Sequence, residues 1–293
     1  MITDIREYLR TLPVSEPLYF YPNPGNAGDS LLAHVTFQML REIGIPYQLL
    51  SHKTFDSRGK IVVYGGGGNL VGYYHHGKNF VEKHYDRAKR LIILPHTIMG
   101  NEDLLARFTA NVDIIAREET TYNHVRKSAR RANVFLAHDL AFHLDAQKMA
   151  SETPPLSVHL MNLRLPVRLL LQGHSAEVMR ILRRLMEGAP GNLLNCFRTD
   201  QERSGAGLPA NNVDVSSVFA YGTESEQRAF YATYRLVHFI NHYEEIRTNR
   251  LHGAIVGALL GKQVKLYPNN YFKCEAVYKF SIEGKFPNVQ WMG

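Results

Sequence analysis

The stretch Thr248-Asn249-Arg250-Leu251-His252-Gly253-Ala254 joins a guanidinium, an imidazole and a glycine within a few residues. Tyr243 to Arg247 before it has the composition of a short strand. Ala254–Leu260 after it reads as a buried helix closed by Gly261, with a strand following at Gln263–Tyr267. At a strand-to-helix turn of this kind, Thr248 or Asn249 can cap the helix and leave its first N–H groups facing outward. Arg250 and His252 then stand beside a receptor for a phosphate or a carboxylate. Gly253, Gly257 and Gly261, four residues apart, are explained by a helix packing closely on a sheet, whereas a buried arginine calls for an anionic partner.

Other candidate residues fall at the ends of other strand-like runs, where ligands of doubly wound sheets collect. Asn23-Pro24-Gly25-Asn26-Ala27-Gly28-Asp29-Ser30 offers close backbone approach at Gly28 and a helix cap at Asp29 or Ser30. It lacks GK[ST] and G-x-G-x-x-G, which excludes the common nucleotide fingerprints. Gly65-Gly66-Gly67-Gly68-Asn69-Leu70 is a loop with more glycine than a turn requires, so Gly66, Gly67 and Asn69 are expected to lie against a ligand or another domain. His96 and Thr97, Arg117, the pair His138-Asp139, and Arg198 with Asp200 occupy further strand ends. Glu118 and Glu119 suit the first turn of a helix and are expected to be structural.

These loops hang on alternating strand-like and helical runs, the pattern of an α/β fold with largely parallel sheets. Strands are expected at Leu18–Tyr21, Tyr47–Leu50, Ile61–Tyr64, Leu91–Leu94, Asp113–Ala116, Val134–Ala137, Leu193–Phe197 and Val213–Val215. Helices are expected at Ser30–Ile43, Lys78–Ala88, Glu102–Thr109, Glu118–Ser128, Ala176–Glu187, Glu224–Ile240 and Tyr271–Phe280. Ser151-Glu152-Thr153-Pro154-Pro155 breaks the pattern, and the length favours two domains, 1–150 and 151–293.

Composition narrows the classes. At 45% hydrophobic and 21% charged, the 293 residues can bury a core and are not those of a disordered chain. No apolar run approaches the ~20 residues of a spanning helix. The amphipathic, acid-bearing start MITDIREYLR resembles neither a secretory signal nor a transit peptide, so a cytoplasmic protein is expected. Cys196 and Cys274 form no metal pattern and are expected to lie reduced in cores. A net charge of +7 suits an anionic small substrate or membrane surface. The clusters Arg87–Arg90, Arg126–Arg131 and Arg183-Arg184 carry no nucleic-acid-binding motif, so nucleic acid is not an expected partner.

Taken in order, Gly25–Asp29, Gly65–Asn69, Leu94–Thr97, Arg117-Glu118, His138–Phe142, Leu194–Asp200 and Thr248–Gly253 resemble the polysaccharide pyruvyl transferase family. The stretch 156–175 does not align and reads as an insertion. The resemblance implies two Rossmann-like domains facing a cleft in a GT-B-like arrangement, with the last helix packing back on the first domain. It also implies transfer of a pyruvyl group from phosphoenolpyruvate onto two hydroxyls of one sugar, forming a cyclic ketal and releasing phosphate. No metal or other cofactor is implied. On this reading Arg250 and Arg117 grip the donor's two anionic groups from opposite domains. His252 is the general acid for the methylene carbon, Asp29 serves the acceptor hydroxyl with Asp139 and Asp200 behind it, and His96 assists phosphate departure. Gly28, Gly66, Gly67, Asn69, Thr97, Asn249, Arg198 and Asp139 complete the expected substrate-binding set. The family implies an exopolysaccharide or cell-wall glycan acceptor, often lipid-linked, and the basic patches suit transient contact with anionic lipid at the inner face of the membrane. Two alternatives stay open from residues alone: a GT-B-like glycosyltransferase using a nucleotide sugar, and a non-catalytic glycan- or phosphate-binding protein.

Overall fold

The computed structural model describes residues 2–13, 16–50, 55–153, 192–205 and 207–293. The expected helix Ala176–Glu187, the stretch 156–175, the pair Arg183-Arg184 and the prolines of the expected boundary lie outside the described residues.

In the first half the strands are β1 (Leu18–Tyr21), β2 (Tyr47–Leu49), β3 (Ile61–Tyr64), β4 (Gly67–Leu70), β5 (Arg90–Ile98), β6 (Val112–Ala116) and β7 (Asn133–Leu136). They form one parallel sheet in the order β2-β1-β3-β5-β6-β7, with β4 paired to the end of β5. The chain reverses direction across the sheet between β1 and β3, which opens a crevice at their carboxyl ends. Helices α1 (Ile5–Arg10) and α2 (Ala27–Ile43) cover one face. The other is covered by α3 (His76–His84), α4 (Glu102–Leu105) and α5 (Glu119–Ser128), whose Phe80, Leu104 and Val125 pack against Val62, Leu91 and Ile114. A short α6 (Ala146–Ser151) follows.

In the second half a four-stranded parallel sheet runs in the order β11-β10-β9-β8, with β8 (Leu193–Cys196), β9 (Glu245–Thr248), β10 (Gln263–Leu266) and β11 (Val289–Trp291). Its helices are α7 (Val215–Val218), α8 (Glu226–Asn241), α9 (Leu251–Leu259) and α10 (Lys273–Val277), the last continued by a π turn at Tyr278–Ile282. Helix α2 packs along α8, and one apolar cluster runs from Phe20, Leu31 and Phe37 to Leu194, Val237 and Ile246. The two sheets therefore share a continuous core. Cys196 and Cys274 are free thiols buried in it.

Four departures from the sequence reading have local causes. Strand β5 does not stop at Leu94 but passes through Pro95 to Ile98, with the register against β6 shifting between Ile93 and His96. Pro95 has no N–H for a ladder, and the irregularity absorbs it. Gly67–Leu70 is a strand rather than a loop, because the extra length of β5 gives it a partner. Val213–Val215 is not a strand; Asp214 caps the turn of helix α7 by accepting from Ser217 N–H. Helix α2 is capped by Asn26, with Asp29 returning a bond to the Asn26 N–H as the other half of a capping box, so neither Asp29 nor Ser30 is the cap.

Candidate active site

A cavity of about 260 Å³ lies where the carboxyl ends of the two sheets meet, small even for a ligand pocket. The first sheet contributes Asn23 and Asp29 after β1, Gly68 and Asn69 on β4, and Arg117 after β6. The second contributes Arg198 and Asp200 after β8, Arg250 and His252 at the start of α9, and Lys273 on α10. Of the expected catalytic residues, His252, Arg250 and Asp29 all line this one cavity, joined by Arg117, Asn69 and Arg198.

On the first-sheet side, Arg117 is buried and held by two partners. Its Nε donates to Thr97 Oγ1 at 2.8 Å and its Nη1 to Asp139 Oδ2 at 2.7 Å. The third nitrogen, Nη2, lies 2.8 Å from where a side chain on Gly68 would begin, so only glycine lets the β4 backbone come this close. Asp139 Oδ2 also lies 3.6 Å from His252 Nε2 and thus stands behind both the guanidinium and the imidazole. Burial alone would raise the Asp139 carboxyl; Arg117 and His252 outweigh it and hold the group well below the usual carboxylate range. The other ring nitrogen, His252 Nδ1, faces Gly28, where an added Cβ would sit 2.1 Å away.

The second-sheet side is a ladder of charge. Arg250 Nε donates to Asp214 Oδ1 at 2.8 Å, Nη2 bonds Asp214 Oδ2, and Nη1 lies 2.9 Å from Asp200 Oδ2. Arg198 grips Asp200 with Nε at 2.8 Å and Nη2 at 3.0 Å, and Glu202 with Nη1 at 2.7 Å. Lys273, buried, bonds Glu202, which also accepts the Tyr74 hydroxyl at 2.9 Å. Burial, with Arg198 adding to it and Glu202 opposing, pushes the Lys273 ammonium down to about 8. The arginines are therefore not bare receptors. Each arrives with its charge already met by a carboxylate.

Several expected binding residues stand behind the cavity wall instead of lining it. His96 is wholly buried, and its Nε2 accepts the Asn69 N–H at 3.2 Å; burial and Arg117 push it down to about 3, so it is neutral. It braces Asn69, whose Oδ1 accepts the Tyr64 hydroxyl at 2.8 Å, and is not placed to reach a departing phosphate. Thr97 and Asp139 position Arg117 in the same indirect way. Gly66 packs on Leu140 and Pro95, and Gly67 on Asn23, so of the glycine run only Gly68 reaches the cavity. Asn249 accepts the Arg198 N–H at 2.8 Å, and Thr248 Oγ1 accepts the Arg250 N–H at 2.8 Å. With both side chains turned to the sheet, the residue at the N-cap of α9 is Arg250 and no side chain caps the helix. Asp29 receives Asn23 Nδ2 at 2.8 Å and the Asn26 N–H at 2.9 Å. Burial raises its carboxyl above the ordinary range, against the pull of His252.

The sequence reading missed Asn23, Glu202, Asp214 and Lys273. Asn23 belonged to a loop already singled out; Lys273 opens a helix and carries no motif around it. Among the described residues, no group of three or more His, Cys, Asp or Glu side chains is placed to hold a metal ion.

Parallel sheets with a polar cavity at a topological switch point define an α/β enzyme of the doubly wound kind. Within that class the chain belongs to the polysaccharide pyruvyl transferase family, whose model matches residues 26–270. It is 24% identical over 287 residues to EpsO of Bacillus subtilis (strain 168), a protein provisionally assigned as a pyruvyl transferase, with 92% of this chain and 86% of EpsO covered. It is also similar to the crystal structure of a functionally uncharacterized protein from Klebsiella pneumoniae subsp. pneumoniae NTUH-K2044, at 28% identity and a TM-score of 0.77. That match covers 98% of this chain and 96% of the other.

Proposed function

We propose that this pyruvyl transferase takes its pyruvyl group from phosphoenolpyruvate and places it on two hydroxyls of one sugar as a cyclic ketal, releasing phosphate. The observation that carries this reading is the convergence of Arg117 from one sheet with Arg250 and His252 from the other on one small cavity. Phosphoenolpyruvate holds a carboxylate and a phosphate close together, and two guanidinium groups lining one cavity can receive them. His252 protonates the methylene carbon while one sugar hydroxyl adds to the neighbouring carbon. The second hydroxyl then displaces phosphate and loses its proton, closing the ring. Asp139 orients the imidazole from behind, and Asp29 receives an acceptor proton, a task favoured by the higher proton affinity that burial gives its carboxyl.

The acceptor side follows the family: an exopolysaccharide or cell-wall glycan precursor, met by two Rossmann-like units, 1–150 and 151–293, arranged in the GT-B manner. Among the described residues no helix is long and apolar enough to cross a membrane. Arg126, Lys127, Arg130 and Arg131 are all exposed at the end of α5 and after it, which supports transient contact of a cytoplasmic enzyme with anionic lipid around a lipid-linked acceptor. Co-sedimentation with phosphatidylserine vesicles that persists unchanged at high salt, or fails altogether, overturns that contact. The deciding experiment for the reaction is phosphate release from phosphoenolpyruvate against a panel of glycan acceptors, with the product's ketal carbon assigned by NMR. Release of nucleotide from a sugar nucleotide, with no phosphate from phosphoenolpyruvate, overturns the reading.

A further inference from the structure

Arg250 and Arg198 are each neutralised from the protein side by a buried acid. For Arg250 this is Asp214, bonded at Nε (2.8 Å), and for Arg198 it is Glu202, bonded at Nη1 (2.7 Å). The side chains of these acids are 0% and 3% exposed. Asp200 is built differently. It lines the cavity, its side chain is 32% exposed, and it meets both arginines at once. Its Oδ1 takes Arg198 Nε at 2.8 Å, and its Oδ2 lies 3.0 Å from Arg198 Nη2 and 2.9 Å from Arg250 Nη1. One carboxylate bridging two guanidinium forks is the geometry in which a bound carboxylate or phosphate oxygen pair would be held. If Asp200 leaves, Arg250 keeps Asp214 and Arg198 keeps Glu202, which it shares with Lys273.

We propose that Asp200 is a stand-in anion, occupying the Arg198–Arg250 fork in the free enzyme and giving it up to an anionic group of the donor. Asp200 is then a positioning residue that acts through the two arginines. It fills the fork between turnovers and competes with the donor for the same nitrogens. The proposal rests on the phosphoenolpyruvate reading for the identity of the ligand, though not for its charge. A purely structural carboxylate has the opposite signature, since its loss loosens the fork and weakens binding.

The test is titration calorimetry of phosphoenolpyruvate on the full-length wild type and on Asp200→Asn, which keeps the shape and removes the charge, together with the split between KM for the donor and kcat. The expected result is binding about tenfold tighter in Asp200→Asn, the fold-change of one competing charged contact. KM should fall in parallel, and kcat should change by a smaller factor. Unchanged or weaker donor binding in a variant whose melting temperature matches the wild type overturns the proposal. Should the variant fold poorly, a crystal structure of the wild type with phosphoenolpyruvate decides. Asp200 turned away from both arginines supports the stand-in role, and Asp200 still between them defeats it. If the wild type binds no phosphoenolpyruvate, it is the donor reading that fails. The stand-in role is then judged with inorganic phosphate, where tighter binding by Asp200→Asn supports it and equal or weaker binding rejects it.

Discussion

His252 has the Asp139 carboxylate 3.6 Å behind its Nε2, and its Nδ1 lies against Gly28, an arrangement that fixes the direction of the imidazole. Replacing His252 with Gln should lower kcat about 100-fold or more if the ring delivers the proton, with phosphoenolpyruvate affinity changed far less; a rate equal to wild type removes it from that role. Gly28→Ala is the companion measurement. Its new Cβ would begin 2.1 Å from His252 Nδ1, so the ring must move, and activity should fall toward that of the His252 variant while the melting temperature holds. Full activity in Gly28→Ala would mean that the ring is free to sit elsewhere. At this scale the sequence revealed the cations and the imidazole, because strand ends are where such residues collect. Their counter-charges were hidden. Asp214 lies 36 positions from Arg250, and Lys273 lies 71 from Glu202. Pairing over such separations is decided by the fold, not by local spacing.

Helix α9 starts without a side-chain cap because Thr248 and Asn249 bond toward β8, and the start is held by its neighbours instead. Asp214, capping α7, takes that load: it bonds Arg250 through two nitrogens and accepts the Ser217 hydroxyl at 3.0 Å. Burial alone would raise its carboxyl, and Arg250 turns that into a net lowering. Asp214→Ala should therefore destabilise the protein by roughly 3–5 kcal/mol, the cost of removing the buried partner that meets two nitrogens of a buried charge, read from the midpoint of chemical denaturation. A loss below about 1 kcal/mol, the level of an exposed pair, would show that Arg250 relaxes into solvent. Strands such as Leu18–Tyr21 and Ile61–Tyr64 were readable in place, since short apolar runs bounded by turn residues mark buried parallel strands. Gly67–Leu70 and Val289–Trp291 were not, the one masked by glycine and the other an edge strand of only three residues. The cap at Asn26 was also misassigned, because Asn26, Asp29 and Ser30 are equally good capping residues and only the capping box separates them.

Over the whole molecule, the two sheets are joined through α2 and α8, and His34 sits in that joint with its ring 5.5 Å from Phe230. Its Nε2 is buried with no hydrogen-bond partner among the described residues, and burial, with Arg41 adding to it, pushes the imidazole from 6.5 down to about 4. The unfolded chain binds a proton at His34 below pH ~6.5, whereas the folded chain binds it only near 4. Stability is therefore lost as pH falls through that window, by about 3 kcal/mol for this group. His96, pushed down to about 3, adds a loss of the same sign over a wider range. The raised carboxyls of Asp29 and Glu118 act in the opposite direction, because their protonated forms are favoured in the folded state. The net slope of the wild type thus mixes both signs, and a difference between two proteins isolates the joint. His34→Leu puts an apolar side chain of similar reach against Phe230 and removes the titration. Denaturation of wild type and variant at pH 7 and at pH 4 should show the variant gaining about 3 kcal/mol relative to wild type at the lower pH. Parallel pH dependence in the two proteins would place His34 in contact with water instead of inside the apolar joint between the sheets.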